Sequence, residues 1–458
     1  MKLVVVGADA AGMSAASQAR KRRGPDELEI VAFERGHFTS YSACGIPYWI
    51  GGAVKDRDAL IARTPAEFAQ AGIDVHLRHE VTAIDLDRRE VVARDLTGGG
   101  ERREGFDELV YAAGAVPVTP EWARVDAAGV FGVQTLDDGT AIMEWLSSAE
   151  RRKAVVIGGG YIGVEMAEAM VRRGLDVTLV EKSAQPMSTV DPDMGRRVRD
   201  AICGLGIEVR TDTHVTGLET ADGRVRAVVT DDGTLPADIV VLGLGVRPNT
   251  ALAAEAGLPL GPTGGLRTDL RMRVVGPDGP VPGVWAAGDC VQTVHRISGR
   301  PLHAPLGTHA NKQGRVAGIN LGGGYATFPG VIGTAVTKVC ELEVARTGLT
   351  EKEADQAGFA FVTSTVESTS RAGYYPGASE MTIKLIAERR TGMLLGAQIV
   401  GREEAAKRID SLAIAIWNRM TVEEMTALDL SYAPPFSPVW DPVLIAARKA
   451  TDEVHASR

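Results

Sequence analysis

The chain is short of cysteine, of aromatic residues and of long apolar runs. Four cysteines occur in 458 residues, at positions 44, 203, 290 and 340. No two of them form a C-x-x-C pair, which excludes a zinc ribbon or a disulfide framework and predicts a reduced, cytoplasmic setting. No apolar stretch approaches the roughly 18 residues that a membrane span requires. A charged leader with a cleavage site is also missing, because Met1–Gly7 already reads as a strand, so no secretory signal is expected. Cationic excess is absent too. The formal net charge is −9, which argues against a general nucleic-acid binder and leaves any anionic ligand to a local basic cluster.

Glycine is plentiful, at 53 residues, and the apolar fraction of 45% suits several packed domains. One unit occurs twice. Lys2–Val6 is a continuous apolar strand, Gly7–Gly12 a turn of small residues, Met13–Arg23 a predicted helix, and Glu29–Phe33 a strand that ends at Glu34. About 150 residues on, Ala154–Ile157, Gly158–Gly163, Val164–Arg173 and Val177–Val180 repeat the order and end at Glu181. A glycine turn between strand and helix lets a pyrophosphate approach the backbone and the positive end of the helix. Two such units predict two dinucleotide sites and an α/β fold. Further strands are expected at Leu109–Ala112 and Ile239–Leu244. From about Phe328 the pattern changes to alternating strands (Phe359–Val366, Met381–Ala387, Gly392–Ile399) and a helix from about Ala405 to Met420, a separate α+β domain.

The second loop satisfies G-x-G-x-x-G through Gly158, Gly160 and Gly163, with Tyr161 and Ile162 inside it. Glu181 follows where an acid reads a ribose hydroxyl. A carboxylate there disfavours a 2′-phosphate, so NADH is the first choice. Lys182 beside it keeps NADPH open. The first loop keeps Gly7 and Gly12 but carries Asp9 at the middle position, and Glu34 follows after a longer gap. A distant segment, Gly283 to Asp289, ends in the Gly-Asp pair with which a flavoprotein holds a ribityl chain. FAD is therefore expected at the first unit, and the FAD domain is interrupted by the NAD domain.

Cys44 lies in Ser40-Tyr41-Ser42-Ala43-Cys44-Gly45-Ile46-Pro47-Tyr48. Pro47 suits the first turn of a helix. A cysteine at a helix N-terminus is expected to have a depressed pKa, and Cys44 is read as the redox residue. With no second cysteine nearby it forms either a mixed disulfide or a sulfenic acid. Cys203, Cys290 and Cys340 are read as structural.

The loop order, this segment, and two C-terminal motifs, Ala372-Gly373-Tyr374-Tyr375-Pro376-Gly377 and Ser431-Tyr432-Ala433-Pro434-Pro435-Phe436-Ser437, resemble the single-cysteine pyridine nucleotide-disulfide oxidoreductases. The branch resembled most is that of the coenzyme A-disulfide reductases. The resemblance covers Lys2 to about Lys449. It implies a glutathione-reductase-like arrangement with FAD-binding residues 1–118 and 249–327, NAD(P)H-binding residues 119–248, and a dimerisation domain over 328–458. It also implies a homodimer in which Tyr374 and Tyr432 reach into the partner's active site and act there with Cys44. Cofactor contacts implied are Gly7, Ala11, Gly12, Glu34, Arg35, Ser42, Val81, Ala113, Gly114 and Asp289, together with Gly158, Gly160, Tyr161, Ile162, Gly163, Glu165, Glu181 and Gly245. Among these Tyr161 gates the nicotinamide pocket and Glu165 lies near it.

Coenzyme A is a polyanion. Ser14, Gln18, Lys21 and Arg22 recur on one helix face, and the resemblance places Ser14, Gln18 and Lys21 at nucleotide contacts. Ser40, Arg63, Lys407 and Arg408 are further candidates. Family members often have Asn before the cysteine where this chain has Ala43, which removes part of the thiol-ligand contact and brings persulfides and polysulfides into view. Some relatives that accept these carry a C-terminal sulfurtransferase domain, for which this chain is expected to be too short. The expected activity is NAD(P)H- and FAD-dependent reduction of a small thiol-disulfide or persulfide acceptor. The alternatives are an NADH oxidase or peroxidase cycling through sulfenic acid, a flavin redox sensor, and a reductase of another metabolite.

Overall fold

A computed structural model describes residues 1–125, 127–147 and 152–457. The first unit forms strand β1 (Lys2–Val6), helix α1 (Ala10–Arg20) and strand β2 (Glu29–Glu34). Leu3, Val4 and Val5 are fully buried. Each such aliphatic side chain removed from water stabilises the fold by about 1.5–3 kcal/mol, which is why a continuous apolar run takes the centre of a parallel sheet. β1 sits between β2 and Glu108–Tyr111, with Leu3 opposite Ile30 and Val4 opposite Leu109. The complete sheet runs Arg273–Gly276, Gly279–Ala286, Glu108–Tyr111, β1, β2, Ile73–Leu77. A strand from beyond residue 270 thus closes a sheet begun at residue 2. Trp285 pairs with Val110, which carries Gly288 and Asp289 to the end of the sheet where the first glycine loop lies.

The second unit has the same plan. Its five strands, Glu208–Arg210, Asp176–Val180, Lys153–Ile157, Ile239–Leu242 and Val130–Gly132, are all parallel. Each unit also carries a three-stranded antiparallel sheet, over residues 79–105 in the first and 215–236 in the second. The C-terminal part is a five-stranded antiparallel sheet ordered Ala335–Val339, Leu342–Gly348, Leu394–Gly401, Glu380–Glu388, Phe361–Thr369. The helices Ile409–Trp417 and Pro442–Ala456 pack their apolar faces against it.

Both nucleotide helices begin earlier than their periodicity predicts. α1 spans Ala10–Arg20 rather than Met13–Arg23, and its counterpart spans Tyr161–Arg172 rather than Val164–Arg173. The last residues of each loop are already helical. This leaves the first N–H groups without intrahelical partners and available to a phosphate. The expected helix from Ala405 to Met420 is shortened to Ile409–Trp417, preceded by a single tighter turn over Ala406–Arg408. Among the described residues no helix is long and apolar enough to cross a membrane.

Candidate active site

The two loops are built alike. Gly7 and Gly158 have φ of +96° and +98°, a region open to glycine at little cost. A Cβ on Gly12 would collide with the Gly7 carbonyl, and one on Gly163 with the Gly158 carbonyl. At the second position of each loop the acid at the end of the next strand reaches back: Glu34 Oε2 accepts the Ala8 N–H at 3.0 Å, and Glu181 Oε2 accepts the Gly159 N–H at 2.7 Å. The other oxygens accept Gly36 N and Ser183 N at 2.9 and 2.8 Å. The longer gap before Glu34 is absorbed between α1 and β2, so it leaves this geometry intact.

Cys44 stands just before helix α2 (Ile46–Ile50), whose first turn holds Pro47. Ile46, Pro47, Trp49 and Ile50 are buried, and they pack against the helices Leu136–Leu146 and Tyr161–Arg172 of the second unit. Arg173 donates to the carbonyls of Ile50 and Trp49 at the end of α2. The apolar face of a five-residue helix thereby docks the cysteine of the first unit onto the second.

A single cavity of about 2110 Å³ receives most of the expected cofactor residues. Gly7, Ala11, Glu34, Arg35, Ser42, Cys44, Val81, Ala113, Gly114 and Asp289 line it from the first unit, and Gly160, Tyr161, Ile162, Glu165 and Gly245 from the second. Its size exceeds the roughly 300–1,000 Å³ of a site for one small ligand. The residues fit two dinucleotides. Open space adjoins Gly114, Gly160 and Gly245 where a Cβ would point, and two helix N-termini face the volume. Gly12, Gly158, Gly163 and Glu181 stay outside the lining and shape the loops from behind.

Cys44 corrects one expectation. It is accessible from the cavity, yet its thiol pKa is raised rather than depressed. Enclosure by protein is the largest cause, followed by the nearby carboxyl groups of Glu165 and Asp289. The short α2 supplies too little dipole to offset them. Glu165 is itself raised by burial; its Oε1 accepts the Thr337 hydroxyl at 2.6 Å and the Tyr48 phenol at 3.5 Å. Burial pushes Asp289 up to about 6. Tyr48, enclosed and beside Glu165, is pushed up to about 12. Cys290, fully enclosed behind Asp289, is also pushed up to about 12 and is inert at neutral pH. Cys340 occupies a tight turn at φ +59°, and Cys203 lies exposed on the helix Pro192–Gly204.

The expected substrate residues divide. Ser14 Oγ donates to Asn311 Oδ1 at 2.7 Å, on the helix Gly307–Leu321 that packs on α1. Arg22 folds back to Gln18, reaching its carbonyl at 3.0 Å and Oε1 at 2.9 Å. Lys21 and Arg22 are exposed at the end of α1, Arg63 is exposed with its guanidinium over the Phe68 ring, and Ser40 uses its carbonyl on Ala62 N. None of these six lines the cavity. Arg408 is committed elsewhere. It donates to the carbonyls of Glu404, Ser370 and Phe436 and faces Asp441 at 3.5 Å, so it ties together the two tyrosine-bearing segments instead of offering a free cation. Lys407, Lys312 and Arg315 do line the cavity. The last two escaped the sequence reading because nothing near them in the chain marks the site.

Tyr374 and Tyr432 interact through their phenols. Both are exposed, at 78% and 48%, and the segment that carries Tyr432 also exposes Phe436, Val439 and Trp440. Neither borders the cavity of its own chain. Large apolar side chains exposed close together along one segment are suited to association.

Two parallel-sheet units with paired nucleotide loops, facing one cavity that holds a cysteine, define a flavin- and nicotinamide-dependent oxidoreductase. The profile of the pyridine nucleotide-disulphide oxidoreductases matches residues 1–314, and that of their dimerisation domain matches residues 334–442. The chain belongs to this family, whose members depend on FAD and NAD(P)H. Similar proteins include an NAD(P)H sulfur oxidoreductase (CoA-dependent) from Pyrococcus furiosus, 38% identical over 98% of each chain. An NADH oxidase from Methanocaldococcus jannaschii is 36% identical, also over 98% of each. The structure of an NAD-dependent persulfide reductase from A. fulgidus superimposes with a TM-score of 0.95 at 38% identity, covering 100% of this chain and 84% of that one.

Proposed function

We propose that the protein uses NADH to reduce a coenzyme A disulfide or a persulfide-type sulfur acceptor at Cys44. The observation that carries this is the meeting of Cys44, both nucleotide loops and Asp289 in one cavity. Lys312 and Arg315 line the same cavity and suit a polyanionic thiol cofactor, and Lys407, paired with Asp410, lines it too. The sulfur, persulfide and CoA-dependent names of the similar proteins agree with it. Residues 1–118 with 249–327 would form the FAD-binding domain, 119–248 the NAD(P)H-binding domain and 328–458 the dimerisation domain.

Gly7, Ala11, Gly12, Glu34, Arg35, Ser42, Val81, Ala113, Gly114 and Asp289 would hold FAD, which when bound supplies the two-electron relay between NADH and sulfur. Gly158, Gly160, Tyr161, Ile162, Gly163, Glu165, Glu181 and Gly245 would hold NADH. Cys44 as thiolate attacks one sulfur of the acceptor: a Cys44–S–S–R bond forms, the acceptor S–S bond breaks, and the other half leaves as thiolate. Two electrons then cleave the mixed disulfide to R–S⁻ and the Cys44 thiolate. Tyr374 and Tyr432, reaching from the partner subunit of a homodimer, would hydrogen-bond the leaving thiolate. Ser14, Gln18, Lys21, Arg22, Ser40 and Arg63, which do not line the cavity, would meet the acceptor only where it extends beyond the cavity.

The test is NADH oxidation by purified protein with coenzyme A disulfide, coenzyme A persulfide, peroxide or air. Fast turnover with a coenzyme A species and little with air is expected, and Cys44→Ser should abolish it while keeping FAD. Full disulfide turnover by Cys44→Ser would overturn the reading. The Methanocaldococcus relative favours a second reading, an NADH oxidase cycling through Cys44 sulfenic acid. Rapid consumption in air alone would establish it.

A further inference from the structure

The first loop departs from the second at one position. Where the second loop has Gly160, the first has Asp9. A Cβ at Gly160 would meet nothing within 4 Å, so this position tolerates a side chain sterically and faces the cavity. In the first loop the side chain is used. Asp9 Oδ1 accepts the Tyr41 N–H at 3.1 Å, three residues before Cys44. Next to it, the buried Thr39 donates its hydroxyl to the Ala8 carbonyl.

Strand geometry explains why Tyr41 needs this acceptor. Tyr41 and Ile61 form an antiparallel bridge, flanked by the bonds Ala62 N to Ser40 O and Ser42 N to Leu60 O, both 2.8 Å. Tyr41 is therefore the non-bonded member of the ladder, and its N–H points away from residues 60–62. Ser40, at φ +50°, turns the chain into this position. The cysteine segment is thus held on one side by residues 60–62 and on the other by Ala8 and Asp9.

We propose that Asp9 is a positioning residue for Cys44, fixing the cysteine segment to the first nucleotide loop through the Tyr41 N–H. The proposal rests on the reading of Cys44 as the redox sulfur. Burial, with Glu34 and Asp289 adding to it, raises the Asp9 carboxyl group to about 7, and its Oδ1 accepts Tyr41 N in either protonation state.

The experiment compares Asp9→Gly, which restores G-x-G-x-x-G, with Asp9→Asn, which keeps the acceptor oxygen. FAD per chain is measured first. Cys44 alkylation by iodoacetamide in the holoenzyme is then followed by peptide mass spectrometry, together with kcat and KM for the sulfur acceptor. Asp9→Gly should raise the Cys44 alkylation rate about fivefold, the weight of one lost hydrogen bond, and lower kcat more than it changes KM. Asp9→Asn should return both to within about twofold of the parent. An FAD-replete Asp9→Gly protein with the parental alkylation rate would overturn the proposal. If the glycine variant loses FAD or folds poorly, Asp9→Ala, which keeps the Cβ and removes only the carboxyl group, carries the same test with the same two outcomes. Alkylation reports where Cys44 sits whatever the acceptor is, so a failure here is distinct from a failure of the proposed activity, which Cys44→Ser decides.

Discussion

The two nucleotide loops share a frame and differ in what that frame is asked to hold. In both, the third glycine packs on the carbonyl of the first, and an acid from the next strand takes the N–H of the second residue. In both, a donor from the segment after that strand reaches the second residue's carbonyl: the Thr39 hydroxyl on Ala8, and the Met187 N–H on Gly159. The glycines at the outer positions are required by contacts within the protein. The middle one is required only for a ligand to come close, and there the first loop carries a carboxyl group that accepts the Tyr41 N–H of the cysteine segment. The same βαβ unit serves as a nucleotide seat in one place and as a seat plus anchor in the other.

The largest effects should come from breaking the shared frame. Gly12→Ala and Gly163→Ala each force a Cβ into a backbone carbonyl with little room to shift, at a cost of about 3 kcal/mol. Gly12→Ala should purify without FAD. Gly163→Ala should keep FAD yet lose flavin bleaching by NADH, read from the visible spectrum. Equal loss of FAD in both would break the division of roles between the loops.

A smaller effect sharpens the difference at the middle position. Asp9 is raised from 3.8 to about 7 by burial, with Glu34 and Asp289 adding to it and the N–H groups of Tyr41 and Ala10 opposing it. Between those pH values the native apoprotein holds a proton that the unfolded chain has released. The contribution of Asp9 to stability therefore falls as pH rises from about 4 to about 7, by up to about 4 kcal/mol on the ordinary conversion. Asp9→Asn lacks this group. Its stability advantage over the parent should grow across that window and level off above it, as followed by thermal melting. A constant difference would show that Asp9 ionises normally.

The smallest effect asks which unit governs the thiol. The alkylation rate of Cys44 should rise with pH to a midpoint above the ordinary thiol value. Glu165→Gln, from the second unit, should lower that midpoint more than Asp289→Asn from the first, because Glu165 acts on Cys44 more strongly. The reverse order would place the control in the first unit.

Much of this was legible in the chain itself. Continuous apolar strands, glycine turns and strand-end acids are local patterns, and local patterns specify a βαβ unit because its hydrogen bonds and burial are satisfied within some thirty residues. The isolated Cys44 and the Gly288-Asp289 pair were visible for the same reason. Other features depend on contacts between residues far apart in sequence. The direction of the Cys44 pKa shift is set by Glu165 and Asp289, which lie more than a hundred residues away and arrive only when α2 packs on the second unit. Arg408 read as a free cation until folding set it against the carbonyls of Ser370 and Phe436. Asp9 looked like a flaw in a motif, and only the fold placed Tyr41 N within its reach. By itself, then, the sequence determined the two nucleotide units and the lone sulfur. The tertiary structure decided the electrostatic surroundings of that sulfur and what holds it in place, because charge and hydrogen-bond interactions depend on distance in space and have no period along the chain.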